Sequence, residues 1–105
     1  MGDPVSLLTA EEYLQKKTSA WPHVLLDVRG QDEWNGGHVE GAQLLPHWFV
    51  PLKAKEYAPD PSVPVVVYCA SGGRSAVAAR ALEGMGYQQV FDVQGGYGAL
   101  RAAGA

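Results

Sequence analysis

The chain is short of three things, and each shortage removes a class of function. It holds one cysteine in 105 residues, so no internal disulfide forms and nothing suggests the cross-linked scaffold of a small secreted domain. A lone thiol suits a reducing compartment, and a cytoplasmic location is expected. Basic residues are few: eight Lys and Arg against eleven Asp and Glu give a net charge of −3, with no basic run longer than Lys16-Lys17. Such a surface repels phosphate backbones, so nucleic acid is not an expected partner. The longest apolar run, around Val63 to Ala70, is far too short to span a bilayer. The opening "MGDPVSLLTAEEYL" also lacks the basic and apolar regions of a signal peptide. Met1 to Ser6 fits the myristoylation pattern literally, but no basic cluster follows to hold a single acyl chain, so no membrane partner is expected. His23, His38 and His47 show no ligand spacing with one another or with the cysteine. Neither a P-loop nor a dinucleotide fingerprint occurs, and no metal or cofactor is expected.

What is present fits one ordinary domain over residues 1–105. "TAEEYLQKK" reads as a helix with Thr9 as N-cap and Glu12 completing a capping box, and with Ala10, Tyr13 and Leu14 on the buried side. "VLLDV", "VPVVVYC" and "VFDV" are continuous apolar runs of strand length, as in a sheet covered on both faces. "SLL" near the start and "AQLL" before Pro46 are weaker strand candidates. Helical stretches fall at Gln31 to Asn35, within Trp48 to Tyr57, from Arg74 to Met85 and after Gly96. This alternation predicts an α/β domain with a mainly parallel sheet. In the helix from Arg74, Val77, Ala78, Ala81, Leu82 and Met85 are expected on the inner side, with Gly86 as its stop.

The one cysteine lies in "YCASGGRSA", where the central strand gives way to a helix. In an open parallel sheet ligands bind beyond the carboxyl ends of the strands, and Cys69 sits at such an end. Amides at a helix start have no internal partners and stabilise a thiolate, as does a neighbouring arginine; together they bring a cysteine pKa from about 8.5 toward 7 or lower. The amides of Ala70, Ser71, Gly72, Gly73, Arg74 and Ser75 are therefore expected to cradle an anion around an exposed sulfur, with positive φ open to Gly72 and Gly73 and with Arg74 adding a permanent charge. The plain alternative is a buried cysteine that packs as a small hydrophobe.

"CASGGRS" resembles the active-site loop of the rhodanese-like sulfurtransferases, C-x-x-G-x-R. "LLDVRGQDEWNGGHVEGAQLLP", Leu25 to Pro46, resembles that family's other signature, and "VFDVQGGYGALRAAG" its C-terminal piece. The three blocks follow the family's order over most of the chain. The resemblance implies a five-stranded mainly parallel sheet with helices on both faces. It also implies that Cys69 takes sulfane sulfur from thiosulfate or a persulfide as its own persulfide, and passes it to a thiol, cyanide or protein. The implied partners are a small sulfur donor and a thiol acceptor, or a cysteine desulfurase and a sulfur-acceptor protein. Arg29 would bind the donor or else pair with Glu33, Asp27 would order its loop, and His38 would cap a turn. Arg74 is the only charge in the loop, where members devoted to thiosulfate often carry more basic residues, so the resemblance does not single out thiosulfate.

Two rivals remain. Cysteine phosphatases and arsenate reductases need C-x5-R to surround a tetrahedral oxyanion, and here only four residues separate Cys69 from Arg74. The other is a non-catalytic interaction module, a use of this fold that usually dispenses with the cysteine.

Overall fold

A computed structural model describes residues 5–70 and 73–105. Five strands, β1 (Ser6–Leu8), β2 (Val24–Asp27), β3 (Gln43–Leu44), β4 (Val65–Tyr68) and β5 (Val90–Val93), form one sheet in the order β1-β5-β4-β2-β3. Every pairing is parallel. The helices are α1 (Ala10–Thr18), α2 (Gln31–Asn35), α3 (Val50–Tyr57), α4 (Gly73–Gly84) and α5 (Gly96–Ala102), with a 3₁₀ turn at His47–Phe49 before α3. The α/β class and the parallel sheet are as the sequence predicts, and the five strands are as the resemblance implies. So is the capping box: Thr9 Oγ accepts from the Glu12 amide at 3.0 Å while Glu12 Oε1 accepts from the Thr9 amide at 2.9 Å.

Alternation along the strands divides the core in two, because successive side chains in a strand point to opposite faces. Val65, Val67 and Cys69 join Leu26, Val28 and the inner residues of α3 and α4 in one cluster. Val66 and Tyr68 join Leu25, Val93 and residues of α1 and α5 in the other. The strands read as unbroken apolar runs because both faces are covered.

Of the inner residues expected in α4, Ala78 and Leu82 are buried and Ala81 and Met85 pack against the core, but Val77 is 59% exposed and Ser75 and Ala79 are buried as well. Small residues at 75, 78 and 79 let the helix lie close to β4 and β5, which turns Val77 outward. Gly86 stops the helix with φ +98°, and the Tyr87 amide reaches back to the Leu82 carbonyl. Among the described residues, no helix is long and apolar enough to cross a membrane.

Candidate active site

Three strand ends converge. Beyond β4 comes Cys69, beyond β2 come Val28 and Arg29, and beyond β5 the turn Gly95-Gly96 opens α5. The Tyr97 amide donates to the Cys69 carbonyl at 2.7 Å. Gly96, at φ +60°, packs so closely that a Cβ there would run into the carbonyl oxygens of Cys69 and Ala70. This is a position that only glycine fills, and it fixes the backbone from which the cysteine projects.

The sulfur is not exposed as the sequence suggested: Cys69 is 1% accessible and continues the inward face of Val65 and Val67 beneath α4. Strand phase accounts for the difference, since residues two apart share a face. Its neighbours are not all aliphatic. The Ser75 hydroxyl lies 3.4 Å from Sγ, and the Arg74 charge acts on Cys69. Gly73 opens α4 and is not among the described glycines with positive φ. Ser71 and Gly72, the middle of the expected amide cradle, lie outside the described residues.

Arg74 and Glu33 form a two-pronged pair, Nη1 to Oε1 at 2.6 Å and Nη2 to Oε2 at 2.8 Å. Glu33 Oε1 also accepts from the Gly30 amide at 3.0 Å. The Arg74 hydrogen bonds, then the Gly30 amide, hold the Glu33 carboxyl down at about 2. Those same hydrogen bonds are the main reason that Arg74 is raised above the ordinary arginine value.

The sequence offered Arg29 either a donor or Glu33, and the structure gives it Asp27. Arg29 Nε lies 2.9 Å from Asp27 Oδ1, and Nη2 lies 2.7 Å from Oδ2 and 2.6 Å from the Gly37 carbonyl. Its guanidinium sits 4.2 Å from the centre of the Tyr97 ring. Burial works to lower the Arg29 pKa, but the Asp27 bond and charge outweigh it and raise the value. Tyr68 closes the network, donating to Asp27 Oδ2 at 2.7 Å and accepting from the Val39 amide at 3.1 Å. Burial comes first among the causes that push the Tyr68 hydroxyl well above its ordinary value. Asp27 does order its own loop, as its Oδ1 accepts the Arg29 amide at 3.0 Å. His38 stacks flat on Trp34 at 3.5 Å, with Nδ1 3.2 Å from the Trp34 carbonyl.

Two residues went unmarked in the sequence. Tyr68 and Asp92 both sit in strands read simply as apolar, yet each is a buried polar group beside the site. A carboxylate inside a run expected to be covered on both faces was the available signal for Asp92. Among the described residues, no group of three or more His, Cys, Asp and Glu is placed to hold a metal ion.

Comparison with known proteins agrees with this geometry. The Rhodanese-like domain family model matches residues 9–103. A sulfurtransferase of Allochromatium vinosum is 32% identical over 92 residues, covering 88% of this chain and 84% of that protein. The protein YqhL of Bacillus subtilis is 33% identical over 90 residues, 86% of this chain and 68% of its own. Among solved structures, a thiosulfate sulfurtransferase from Pseudomonas aeruginosa superposes with a TM-score of 0.86 at 30% identity, covering 95% of this chain and 19% of that one. A rhodanese-like domain protein from Staphylococcus aureus gives 0.82 at 27% identity, with 91% of each chain covered. With fold, loop order and most of its length in common with these proteins, the chain belongs to the rhodanese-like sulfurtransferase family.

Proposed function

We propose that this protein is a sulfur carrier enzyme of the cytoplasm in which Cys69 is the nucleophile. The observation that carries the reading is the placement of the thiol at the end of the central strand of a rhodanese fold, 3.4 Å from the Ser75 hydroxyl and within reach of the Arg74 charge. The thiolate attacks the outer sulfur of thiosulfate or of a persulfide. A new S–S bond forms, the old one breaks, and sulfite or a thiolate leaves with the electron pair. An acceptor thiolate, cyanide or protein cysteine then attacks the terminal sulfur of the Cys69 persulfide and releases the Cys69 thiolate. The donor and acceptor proteins of this scheme are a cysteine desulfurase and a sulfur-receiving cysteine.

Arg74 and the loop from Ala70 to Ser75 receive the anion. Arg74 is the better of the two arginines for this, because its side chain is 33% exposed while that of Arg29 is 5% exposed and fully engaged. Arg29 we assign to the framework.

Intact mass measured after incubation with thiosulfate, and again after a thiol is added, tests the scheme. The expected result is a gain of one sulfur atom that the thiol removes, with no gain in Cys69→Ser. If neither thiosulfate nor a loaded cysteine desulfurase delivers sulfur, the scheme fails. The protein is then an interaction module, the reading that the 1% exposure of Cys69 favours.

A further inference from the structure

Asp92 is 6% exposed in the middle of β5, and its Oδ1 accepts no hydrogen bond among the described residues. The same carboxylate is hydrogen-bonded by Ser75, whose Oγ lies 3.4 Å from Cys69 Sγ. One hydroxyl thus touches both a thiol and a buried acid. A serine hydroxyl has a single proton: it donates to Asp92 while accepting from the thiol, or it donates to a thiolate.

We propose that Asp92 is the proton acceptor for the ionisation of Cys69, acting through Ser75 as a positioning residue. The thiol proton passes to Ser75 Oγ as the Ser75 proton passes to an Asp92 oxygen. The S–H bond and one O–H bond break, two O–H bonds form, and the negative charge moves from carboxylate to sulfur with no change in total charge. This inference rests on the reading of Cys69 as the nucleophile.

The surroundings favour that direction. A carboxylate buried with one oxygen unmet is costly in its charged form. Burial raises the Asp92 pKa, and the Ser75 hydrogen bond only partly offsets this. A thiolate on Cys69 gains the charge of Arg74. Within the sheet Asp92 is flanked by Leu7 of β1 and Val67 of β4, neither of them charged. Arg74 of α4, paired with Glu33 of α2, acts on the Cys69 end of the pair, and the Asp92 end is governed by burial and the Ser75 hydrogen bond. The two acids form one coupled system, and their protons leave in steps that belong to the pair.

A single pH titration of the full chain tests this by following thiolate ultraviolet absorbance and the infrared C=O stretch of a protonated carboxyl, with Asp92→Asn to assign the band. The expected result is that thiolate appears while Asp92 still carries a proton, in two steps that merge into one in Asp92→Asn. If the Asp92 band vanishes before thiolate appears, or if the thiolate titration is the same in Asp92→Asn, the relay is wrong. Should Asp92→Asn not fold, Cys69→Ser supplies the same discrimination. Its carboxyl band should be lost at lower pH than in the wild type, because no thiolate opposes ionisation, and an unchanged band overturns the relay. None of these readouts involves sulfur transfer. Coupled titration without sulfur uptake therefore supports the relay and removes only the proposed function, and sulfur uptake without coupling removes only the relay.

Discussion

Two arginine–carboxylate pairs stand within one site, and they differ in almost everything except their chemistry. Asp27–Arg29 is sealed, with side chains 0% and 5% exposed, and it is joined by Tyr68, the Gly37 carbonyl and the face of Tyr97. Glu33–Arg74 is open, 36% and 33% exposed, and links α2 to the first turn of α4. A buried ion pair adds little net stability over an apolar packing, yet removing one partner strands the other charge in a low dielectric. An open pair is worth little, and water or a passing anion can replace one member. The sealed pair therefore sets the ends of β2 and β4 in register, and the open one leaves a cation available beside the sulfur.

The largest effect expected from breaking this contrast is that of Arg29→Ala. It leaves the Asp27 carboxylate buried with no cation, a loss of about 3–5 kcal/mol. That is a large share of the roughly 5–15 kcal/mol that holds a domain together. Urea unfolding measures it, and a loss under about 1 kcal/mol would show that water or another donor takes the place of Arg29 beside Asp27. Tyr68→Phe sharpens the same point. The ring stays, but Asp27 loses a donor and the buried Val39 amide loses its acceptor. The expected loss is about 1–3 kcal/mol, the penalty for a buried polar group left unmet.

Much of this was legible in the residues. The capping box at Thr9 and the three apolar runs each state one local preference, and the fold agrees with all of them. At the Cys69 loop the place was legible, since the thiol does follow β4 and α4 does begin at Gly73, while Ser71 and Gly72 of the expected cradle lie outside the described residues. What escaped reading depends on phase and partnership. Val77 and Ala79 are both plausible inner residues of α4, and only docking against β4 and β5 chose between them. The inward turn of Cys69 was implicit in its spacing from Val65 and Val67, a strand signal that the loop's glycines and arginine masked. Arg29 lies two residues from Asp27, in the bend that follows β2, where its amide and guanidinium both reach back to that carboxylate, so its partner was closer than Glu33. The bridge from Cys69 through Ser75 to Asp92 joins residues from β4, α4 and β5, and no local pattern announces it.

The smallest expected effect belongs to the open pair. Glu33→Gln keeps an acceptor for the Gly30 amide and removes only the charge, so the loss at neutral pH is about 1 kcal/mol or less. Its pH dependence is the sharper signature. Glu33 titrates at about 2 in the folded protein against an ordinary value of 4.5. A depressed acid stabilises the fold fully above its ordinary value and loses that contribution as pH falls toward the folded one. The stability gap between wild type and Glu33→Gln should therefore hold above 4.5 and close as pH falls toward about 2, as read from urea midpoints along a pH series. A gap that persists in acid would mean that the side chain acts through its shape and not its charge. The same substitution loosens Arg74 from the carboxylate that holds it, so on the proposal that Arg74 receives the donor, sulfur uptake from thiosulfate should hold or rise. In Arg29→Ala uptake should instead fall together with the fold, and that opposite outcome separates an arginine that builds the site from one that serves it.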